Sequence, residues 1–455
     1  MPGSRKQRQT RASVLAWLDR RINFERVVPA TAAPGTFGLA RVRRLLSAVG
    51  DPHLRFPAVH VAGTKGKGST VAMLAGILDA AGHRVGRYLS PHVDAIEERI
   101  CVGGRPIAAA DLVRAFERVI PAVERLDRAA ARRGVGGPTW FEVLTAVAFV
   151  HFAHARVALA VLETGLGGRL DATNVSRPVL SIITSISLDH MHLLGPTIAR
   201  IATEKAGIIK RGCPVISSAC HPAARRVIAA AAARCRAPLL ELGRDFRAEV
   251  VSAAGTDPLA PARVRVTLTD GASRTFRLGM PGPHQAVNAA VAAVAAGMLD
   301  ARGFPTGVAA VRRGLATTRL PARIERVGRR PLLVLDAAHN VASMTSLVET
   351  LAPALVARRP AVLVFAASED KQIDEMLAVV VGRFDHVVVT RYATNPRAAT
   401  LPRLVEACRR AGLDSPTVAA APAEALRLAR TLATADGLVC VAGSFFLAAE
   451  VRAVL

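Results

Sequence analysis

The sequence contains few of the aromatic residues that stack on nucleic-acid bases, with two tryptophans and two tyrosines among 455 residues. This scarcity bears on the formal net charge of +25, which by itself is typical of nucleic-acid-binding proteins. Proteins that bind single strands combine basic grooves with aromatic stacking platforms. Here the arginines are scattered along the chain without such a platform, so we interpret the charge as a compositional bias and expect no nucleic-acid partner.

Lysine is also scarce, because only six of the 60 basic residues are lysines. Where arginine has taken nearly every cationic position, a remaining lysine is expected at a site that a guanidinium cannot serve. Four of the six, Lys65, Lys67, Lys205 and Lys371, fall within the motifs described below.

Long apolar runs and cysteine pairs are absent as well. The longest uncharged segment, residues 278–299, is interrupted by two prolines and by polar residues, so we expect neither a membrane-spanning helix nor a membrane partner. The six cysteines form no C-x-x-C pair and no apolar secretory leader is visible, a pattern that predicts a reducing, cytoplasmic location. Residues 1–12 form a basic head that we expect to be a frayed terminus.

Length and composition predict a globular protein of two domains. A chain of 455 residues exceeds what one hydrophobic core supports, and 51% apolar with 21% charged residues is a globular balance. Short apolar runs alternate with helix-length amphipathic segments, which predicts βαβ units and parallel sheets. The predicted strands cover residues 58–62, 85–89, 157–162, 179–184, 332–335, 361–365, 386–389 and 438–441.

A period-two alternation on both sides of Asp270 and Gly271 predicts an antiparallel hairpin between the two sets of strands. Residues 319–322 have the character of a joint between domains. We therefore predict an α/β protein in which an N-terminal P-loop-type parallel-sheet domain, residues 1–318, carries a small accessory antiparallel sheet. Residues 319–455 are predicted to form a smaller C-terminal Rossmann-like α/β domain.

Polar residues follow several of the predicted parallel strands. Because open parallel sheets bind ligands beyond the carboxyl ends of their strands, we expect these side chains to meet in one cleft. They are Ser90, Glu163, Asp189, His190, Asp336, Asp370 and Lys371.

Residues 60–70 have the composition of a phosphate-binding loop. Glycines allow backbone N–H groups to surround a phosphate, the following helix N-terminus adds partial positive charge, and Lys67 can reach the terminal phosphates. The loop departs from the G-x-x-x-x-G-K-[ST] pattern because Gly68 separates Lys67 from Ser69. A glycine-rich turn without a ligand is the alternative.

Two further residues each allow two interpretations. Glu163 ends a buried strand and suits Mg²⁺, which neutralises charge in phosphoryl transfer, but a buried salt-bridged glutamate fits the same pattern. Lys205 lies on the apolar stripe of a predicted helix, where desolvation would lower the pKa of the amine and free its lone pair. The alternative is a lysine that buries its alkyl chain and is favoured near a helix C-terminus by the helix dipole.

The order of these motifs resembles the folylpolyglutamate synthase and dihydrofolate synthase family of the Mur-ligase superfamily, over nearly the whole chain. The matching segments are 38–42, 60–70, 89–92, 98–99, 141–145, 163–174, 189–207, 282–288, 321–323, 336–340, 370–371 and 443–444. The resemblance implies ATP-dependent amide formation between a folate-type carboxylate and L-glutamate, through an acyl phosphate. The implied small-molecule partners are dihydropteroate or a reduced folate, L-glutamate and ATP, and we expect a monomer.

The resemblance also implies roles for residues at matching positions. Gly66, Lys67, Gly68 and Ser69 hold the ATP phosphates, and Asn288, Arg323 and Asp336 contact ATP. Ser90, Glu163 and His190 bind Mg²⁺, with two ions expected, and Lys205 is carbamylated so that it helps to bind the second ion. His339 lies close to the transferred phosphate, and Thr36, Phe37, Gly38, Leu39 and Phe141 receive the pterin.

The sequence departs from the family pattern at two positions, and two alternative functions stay open. Lys65 stands where many bacterial relatives have asparagine, and Ala337 replaces a glycine, which requires a negative φ at that position. A peptidoglycan-building Mur ligase, the nearest alternative, needs a nucleotide-sugar-binding domain ahead of the phosphate loop, where only about 60 residues are present. A basic ATP-dependent nucleic-acid-binding protein would instead show salt-sensitive binding of DNA or RNA without glutamate-dependent turnover.

Overall fold

Three β-sheets organise the chain in the computed structural model, which describes residues 9–27, 37–252, 259–260, 262–268, 270–413 and 415–455. The first sheet contains β1 (Ala58–Ala62), β2 (Val85–Tyr88), β3 (Ile100–Val102), β4 (Arg105–Pro106), β5 (Leu159–Glu163), β6 (Pro178–Ile183), β7 (Val215–Ser217) and β8 (Leu239–Glu241). Their spatial order is β4-β3-β2-β5-β1-β6-β7-β8.

Neighbouring strands of the first sheet pair in parallel except at one edge, where the pairs β2–β3 and β3–β4 are antiparallel. Strands β1 and β5 are buried along their whole length, which explains their continuous apolar sequences. Val61 of β1 lies beside Glu163 of β5 in the parallel register. The carboxyl ends of the two central strands therefore lie side by side, as predicted.

In the described part of the chain, eight α-helices accompany this sheet. They are α1 (Arg11–Asp19), α2 (Leu39–Ala48), α3 (Lys67–Ala80), α4 (Ala109–Ala131), α5 (Trp140–His154), α6 (Met191–Leu194), α7 (Ile198–Ala206) and α8 (Pro222–Arg234). Helix α5 begins with a capping box, because Thr139 Oγ1 accepts from the backbone N–H of Glu142 and the Glu142 carboxylate accepts from the N–H of Thr139.

The second sheet contains β9 (Phe246–Ser252), β10 (Arg263–Leu268) and β11 (Ser273–Arg277), all antiparallel. The predicted hairpin is confirmed as β10 and β11, whereas β9 was missed because no short turn joins it to its partner. The helices α9 (His284–Asp300) and α10 (Gly307–Thr317) follow. Both pack with α3 and this sheet in one hydrophobic core, so α3 is apolar on nearly every face.

The third sheet contains β12 (Glu325–Arg329), β13 (Leu332–Leu335), β14 (Ala361–Phe365), β15 (His386–Val389), β16 (Thr417–Val418) and β17 (Leu438–Ala442), in the order β12-β13-β17-β14-β15-β16. Only β12 is antiparallel to its neighbour. The helices are α11 (Val341–Ala357), α12 (Ile373–Ala378), α13 (Leu401–Arg410), α14 (Pro422–Ala433) and α15 (Phe445–Arg452). Apolar clusters cover both faces, which confirms the predicted C-terminal α/β unit.

Polar contacts join residues near the first sheet to residues near the third sheet. Arg452 Nε lies 2.7 Å from Asp94 Oδ2, and Lys371 Nζ lies 3.7 Å from Asp189 Oδ1. The Arg397 guanidinium donates to the backbone carbonyl of Glu25 at 3.1 Å. Over the ranges given above, no helix is both long and apolar enough to cross a membrane.

Candidate active site

The phosphate loop connects β1 to α3 and is anchored to the end of β6. The N–H of Thr64 donates to the carbonyl of Ser185 at 2.7 Å, and Gly66 has a φ of +81°, which favours glycine. A Cβ on Gly66 would lie 2.2 Å from Asn288 Oδ1, so the loop and helix α9 approach more closely than a larger residue allows. The structure thus places Asn288 beside Gly66, at the N-terminal end of α3, whose first turn contains Lys67, Gly68 and Ser69.

Gly66→Ala is expected to weaken ADP binding by about tenfold, because a Cβ there is strained and displaces Asn288. Isothermal titration calorimetry measures this affinity. The matched control is Gly212→Ala, where φ is +68° but no atom lies within 4 Å of the added carbon. Equal losses of ADP affinity in the two variants, or none in Gly66→Ala, would show that this contact does not shape a nucleotide site.

Glu163 is 4% exposed and lies at the carboxyl end of β5. Its Oε2 accepts from the backbone N–H of Ser90 at 3.1 Å, and its Oε1 lies 3.9 Å from Lys67 Nζ. Burial raises the pKa of Glu163, and the charge of Lys67 opposes that rise. The ion pair with Lys67 agrees with the alternative in which Glu163 is a buried, salt-bridged glutamate. It also places the carboxylate directly under the phosphate loop.

The oxygens around Glu163 suit a hard divalent cation. A carboxylate and a serine hydroxyl, from Glu163 and Ser90, are ligand types that Mg²⁺ accepts alongside water and phosphate oxygens. Among the residues that the structure describes, no group of three or more His, Cys, Asp and Glu side chains is placed to hold a metal. An ion at this position would therefore take part of its coordination from nucleotide and water.

Lys205 is 5% exposed near the end of α7, and its Nζ donates to the carbonyl oxygen of Gly63 at 2.7 Å. Burial lowers the pKa of Lys205 to about 7, and the charge of Lys67 adds to the effect. The predicted burial of this amine is confirmed. A lysine whose head group reaches solvent is excluded, because the amine ends against the phosphate loop.

Asp189 and His190 follow β6, and Asp189 contacts Lys371, which follows a strand of the third sheet. His190 Nε2 lies 3.8 Å from Asp189 Oδ1, and the same oxygen pairs with Lys371 at 3.7 Å. Burial lowers the pKa of His190 to about 4, so its imidazole is neutral at pH 7. His190 thus lies beside Asp189 as a neutral ring, which is the form that binds metals.

Asp336 ends β13 and fixes the joint that precedes the third sheet. Its two oxygens accept from the backbone N–H groups of Ile324 and Ala338, at 2.8 and 2.7 Å. Ile324 has a φ of +49°, a strained value for a β-branched residue, and Ala322 has a φ of +50°. Arg323 is held between these two residues. Ala337 does not have a positive φ. This meets the condition under which an alanine can replace the glycine of the family pattern.

His339 follows the same strand, and its Nδ1 donates to the carbonyl of Ala337 at 2.9 Å. Burial lowers the pKa of His339 to about 3, with Lys371 and Lys65 contributing, so the ring is neutral and its Nε2 is the unprotonated nitrogen. The ring of Phe445 lies 5.5 Å from that of His339, and the Arg323 guanidinium lies 4.9 Å from the same phenyl ring. The ring of Phe445 therefore contacts both Arg323 and His339.

The residues predicted to receive a pterin are only partly brought together. Leu39 and Phe141 pack on the same core, and the ring of Phe141 covers Gly165, where a Cβ would lie 2.7 Å from Cζ. Phe37, next to Gly38, instead packs against Phe24 with ring centroids 5.0 Å apart. Thr36 lies outside the described residues.

A cavity of about 830 Å³ lies between the two parts of the chain, and sequence reasoning did not find it. Trp140, Phe445, Phe446 and Arg99 are among its lining residues. Arg99 is 1% exposed and bonds the carboxylate of Glu25 through both terminal nitrogens, at 2.8 and 2.7 Å. Arg99 lies in a segment that matches the family, but the distant Glu25 gave no signal in the sequence.

Comparisons with known proteins agree with this architecture. Residues 138–296 match the Mur ligase middle domain, and residues 322–445 match the Mur ligase, glutamate ligase domain. The dihydrofolate synthase/folylpolyglutamate synthase of Bacillus subtilis (strain 168) is 34% identical over 420 residues, which cover 91% of this chain and 94% of the relative.

Two solved structures are similar over almost the full length. Mycobacterium tuberculosis folylpolyglutamate synthase complexed with ADP and AMPPCP has a TM-score of 0.86 at 31% identity and covers 97% of both chains. Escherichia coli FolC in complex with DHPP and ADP has a TM-score of 0.81 at 31% identity, covering 98% of this chain and 97% of that chain. The chain therefore belongs to the folylpolyglutamate synthase and dihydrofolate synthase family of Mur-type ligases.

Proposed function

We propose that this chain joins L-glutamate to a folate-type carboxylic acid, dihydropteroate or a reduced folate, in an ATP-dependent reaction. The observation that carries the proposal is the ion pair between Lys371 and Asp189, at 3.7 Å. It brings the strand ends of the third sheet against those of the first, where Lys67, Glu163 and Lys205 surround the phosphate loop. Nucleotide complexes of similar proteins support ATP as the ligand of this crevice.

The reaction needs ATP because a carboxylate is a poor electrophile at neutral pH. A carboxylate oxygen of the acid bonds to the γ-phosphorus while the bond from that phosphorus to the β-phosphate oxygen breaks, giving an acyl phosphate and ADP. The neutral amine of L-glutamate then attacks the acyl carbon, and the bond from that carbon to the phosphate oxygen breaks. The proton that the amine loses passes to the leaving phosphate, so the products of this step are the amide and inorganic phosphate.

In this scheme the protein acts mainly by positioning the reactants and by stabilising the charge of the phosphates. Gly66, Gly68 and Ser69 present backbone N–H groups to the phosphates at the N-terminus of α3, and Lys67 neutralises their charge. Ser90, Glu163 and His190 would hold Mg²⁺. When bound, that ion supplies positive charge to the phosphoryl oxygens.

The C-terminal part presents its own groups to the same nucleotide. Arg323 and Asp336 are held at the joint that faces the crevice, opposite Asn288, which lies beside Gly66 in the N-terminal part. His339 is neutral in the ligand-free protein, and a phosphate oxygen close to its ring would favour the protonated, donating form. A monomer with a domain division near residue 319 is part of the proposal, and in it one chain carries every group in the scheme.

Carbamylation of Lys205 belongs to the same proposal. The lowered pKa leaves a large fraction of the amine neutral near pH 7, and a neutral amine can bond to the carbon of CO₂ with release of one proton. The product is a carbamate anion beside the phosphate loop, which would help to hold a second Mg²⁺. Arginine cannot form it, which accounts for a lysine in a chain where arginine is the usual cation.

The acid substrate is assigned to the cavity between the two parts and to the adjacent aromatic residues. Phe445 lines the cavity and contacts both His339 and Arg323, so an acid bound there would end beside the transferred phosphate. Phe141, over Gly165, and the segment Phe37 to Leu39 are proposed to receive the pterin. Complex formation of a similar protein with DHPP supports a ligand of this class.

The direct test compares phosphate release with dihydropteroate and with tetrahydrofolate as the acid, each in the presence of ATP, Mg²⁺ and L-glutamate. We expect release to require the acid and L-glutamate together, and the product to carry one more glutamate by mass spectrometry. Phosphate release that ignores L-glutamate, together with salt-sensitive binding of DNA or RNA, would instead support the nucleic-acid-binding alternative.

A further inference from the structure

Lys65 precedes Gly66 in the phosphate loop, and no role was assigned to it above. Its backbone forms a β-bridge with Ser185, and its carbonyl accepts from Ser185 Oγ at 3.3 Å, so the residue is fixed in place. Its ammonium nitrogen is shielded from solvent and has no hydrogen-bond partner among the described residues. A buried cation without a partner is unfavourable, so an anion that binds there would stabilise this position.

The charges around Lys65 also leave room for an anion. Burial lowers its pKa to about 7, and Arg323, Lys371 and Lys67 lower it further, against the single opposing charge of Asp189. Asp189 is already paired with Lys371 at 3.7 Å. Positive charge is therefore in excess on the side of the crevice that Lys65 occupies.

Lys65 and Lys67 face different groups. Lys67 Nζ lies 3.9 Å from Glu163 in the first sheet. The charge of Lys65 instead acts across the crevice on Asp336 and His339, where it opposes the rise that burial causes in the pKa of Asp336 and adds to the fall that burial causes in the pKa of His339. Of the two loop lysines, Lys65 is thus the one on the side of the third sheet. In the proposed reaction, the phosphoryl group is transferred from the nucleotide to the acid on this side.

We propose that Lys65 is a second phosphate-loop lysine, which contacts the transferable phosphoryl group of ATP and stabilises its charge during transfer. The inference rests on the proposed ligase function and assigns the residue a part in it. ADP lacks the transferable group, so Lys65 should distinguish a triphosphate from a diphosphate.

The test measures the affinities for Mg²⁺-ADP and Mg²⁺-AMPPCP by isothermal titration calorimetry in the wild type and in Lys65→Met. We expect AMPPCP to bind about tenfold more weakly in the variant and ADP to bind unchanged, since a charge-assisted hydrogen bond is lost with one ligand only. The ligand-free variant should also unfold at a higher temperature than the wild type, because an unpaired buried cation has been removed.

Arg105→Met is the matched control, since it removes one positive charge from an exposed site and should change neither affinity. Equal changes for ADP and AMPPCP in Lys65→Met, or no change in either, would overturn the assignment of Lys65. If Lys65→Met does not fold, Lys65→Gln offers the same comparison with a polar side chain. A wild type that binds neither nucleotide and releases no phosphate with L-glutamate would contradict the proposed function itself, which is a different result.

Discussion

Lys205→Arg is expected to abolish turnover, with a loss of about a thousandfold or more, while the protein remains folded. The guanidinium stays cationic and cannot become a carbamate, so the anion proposed beside the phosphate loop is lost. The site is also tight, because the amine is buried and donates to Gly63 at 2.7 Å. Glutamate-dependent phosphate release measures the loss, and circular dichroism with thermal unfolding checks the fold.

Lys210→Arg is the matched control for this substitution. Lys210 lies just beyond the same helix and donates to Asn174 Oδ1 at 2.6 Å, a contact that arginine can replace. Its turnover should remain close to that of the wild type. Near-normal turnover of Lys205→Arg would remove the carbamylation proposal, and so would a wild-type protein that gives no carbamate signal by NMR in ¹³C-bicarbonate.

The carbamate should depend on pH in a defined direction. The pKa of Lys205 is lowered to about 7, so the neutral amine predominates above pH 7 and the ammonium form below it. Since only the neutral amine reacts with CO₂, we expect the ¹³C-carbamate signal to rise as pH increases through 7 at constant dissolved CO₂. This dependence supplies a second observable besides turnover.

Much of the fold was predictable because its buried strands leave a simple pattern. Strands β1, β13, β14 and β15 have the predicted bounds, since each is a short apolar run that ends at polar residues. The burial of Lys205 was predictable for a similar reason, because helical periodicity placed it among apolar residues. Family membership followed from the order of the motifs, and the comparisons confirmed it.

Other features depend on contacts between residues far apart in sequence, and no local pattern reports them. Glu25 pairs with the buried Arg99 across 74 positions, and Lys371 reaches Asp189 from the other sheet. The strained φ of Ile324 is likewise imposed by Asp336, which accepts its N–H from 12 positions away. Sequence analysis could name the residues of the crevice, but the distances between them required the folded chain.

Glu163→Gln is expected to reduce kcat by about a hundredfold or more and to raise the Mg²⁺ concentration needed for half-maximal turnover by at least about tenfold. The amide keeps the size of the side chain and can still accept from the N–H of Ser90, so the fold should be retained. What it loses is the negative charge that attracts a divalent cation beneath the phosphate loop. Turnover measured across a magnesium titration separates the two effects.

Glu241→Gln is the matched control, because Glu241 is also a buried carboxylate at the end of a strand of the same sheet. Its partners are Arg225 and Arg244, so its charge is used in ion pairs rather than beside the phosphate loop. Its magnesium titration should match that of the wild type even if its thermal stability falls. An unchanged titration in Glu163→Gln would leave only the ion pair with Lys67 as the role of this carboxylate, and the metal assignment would be wrong.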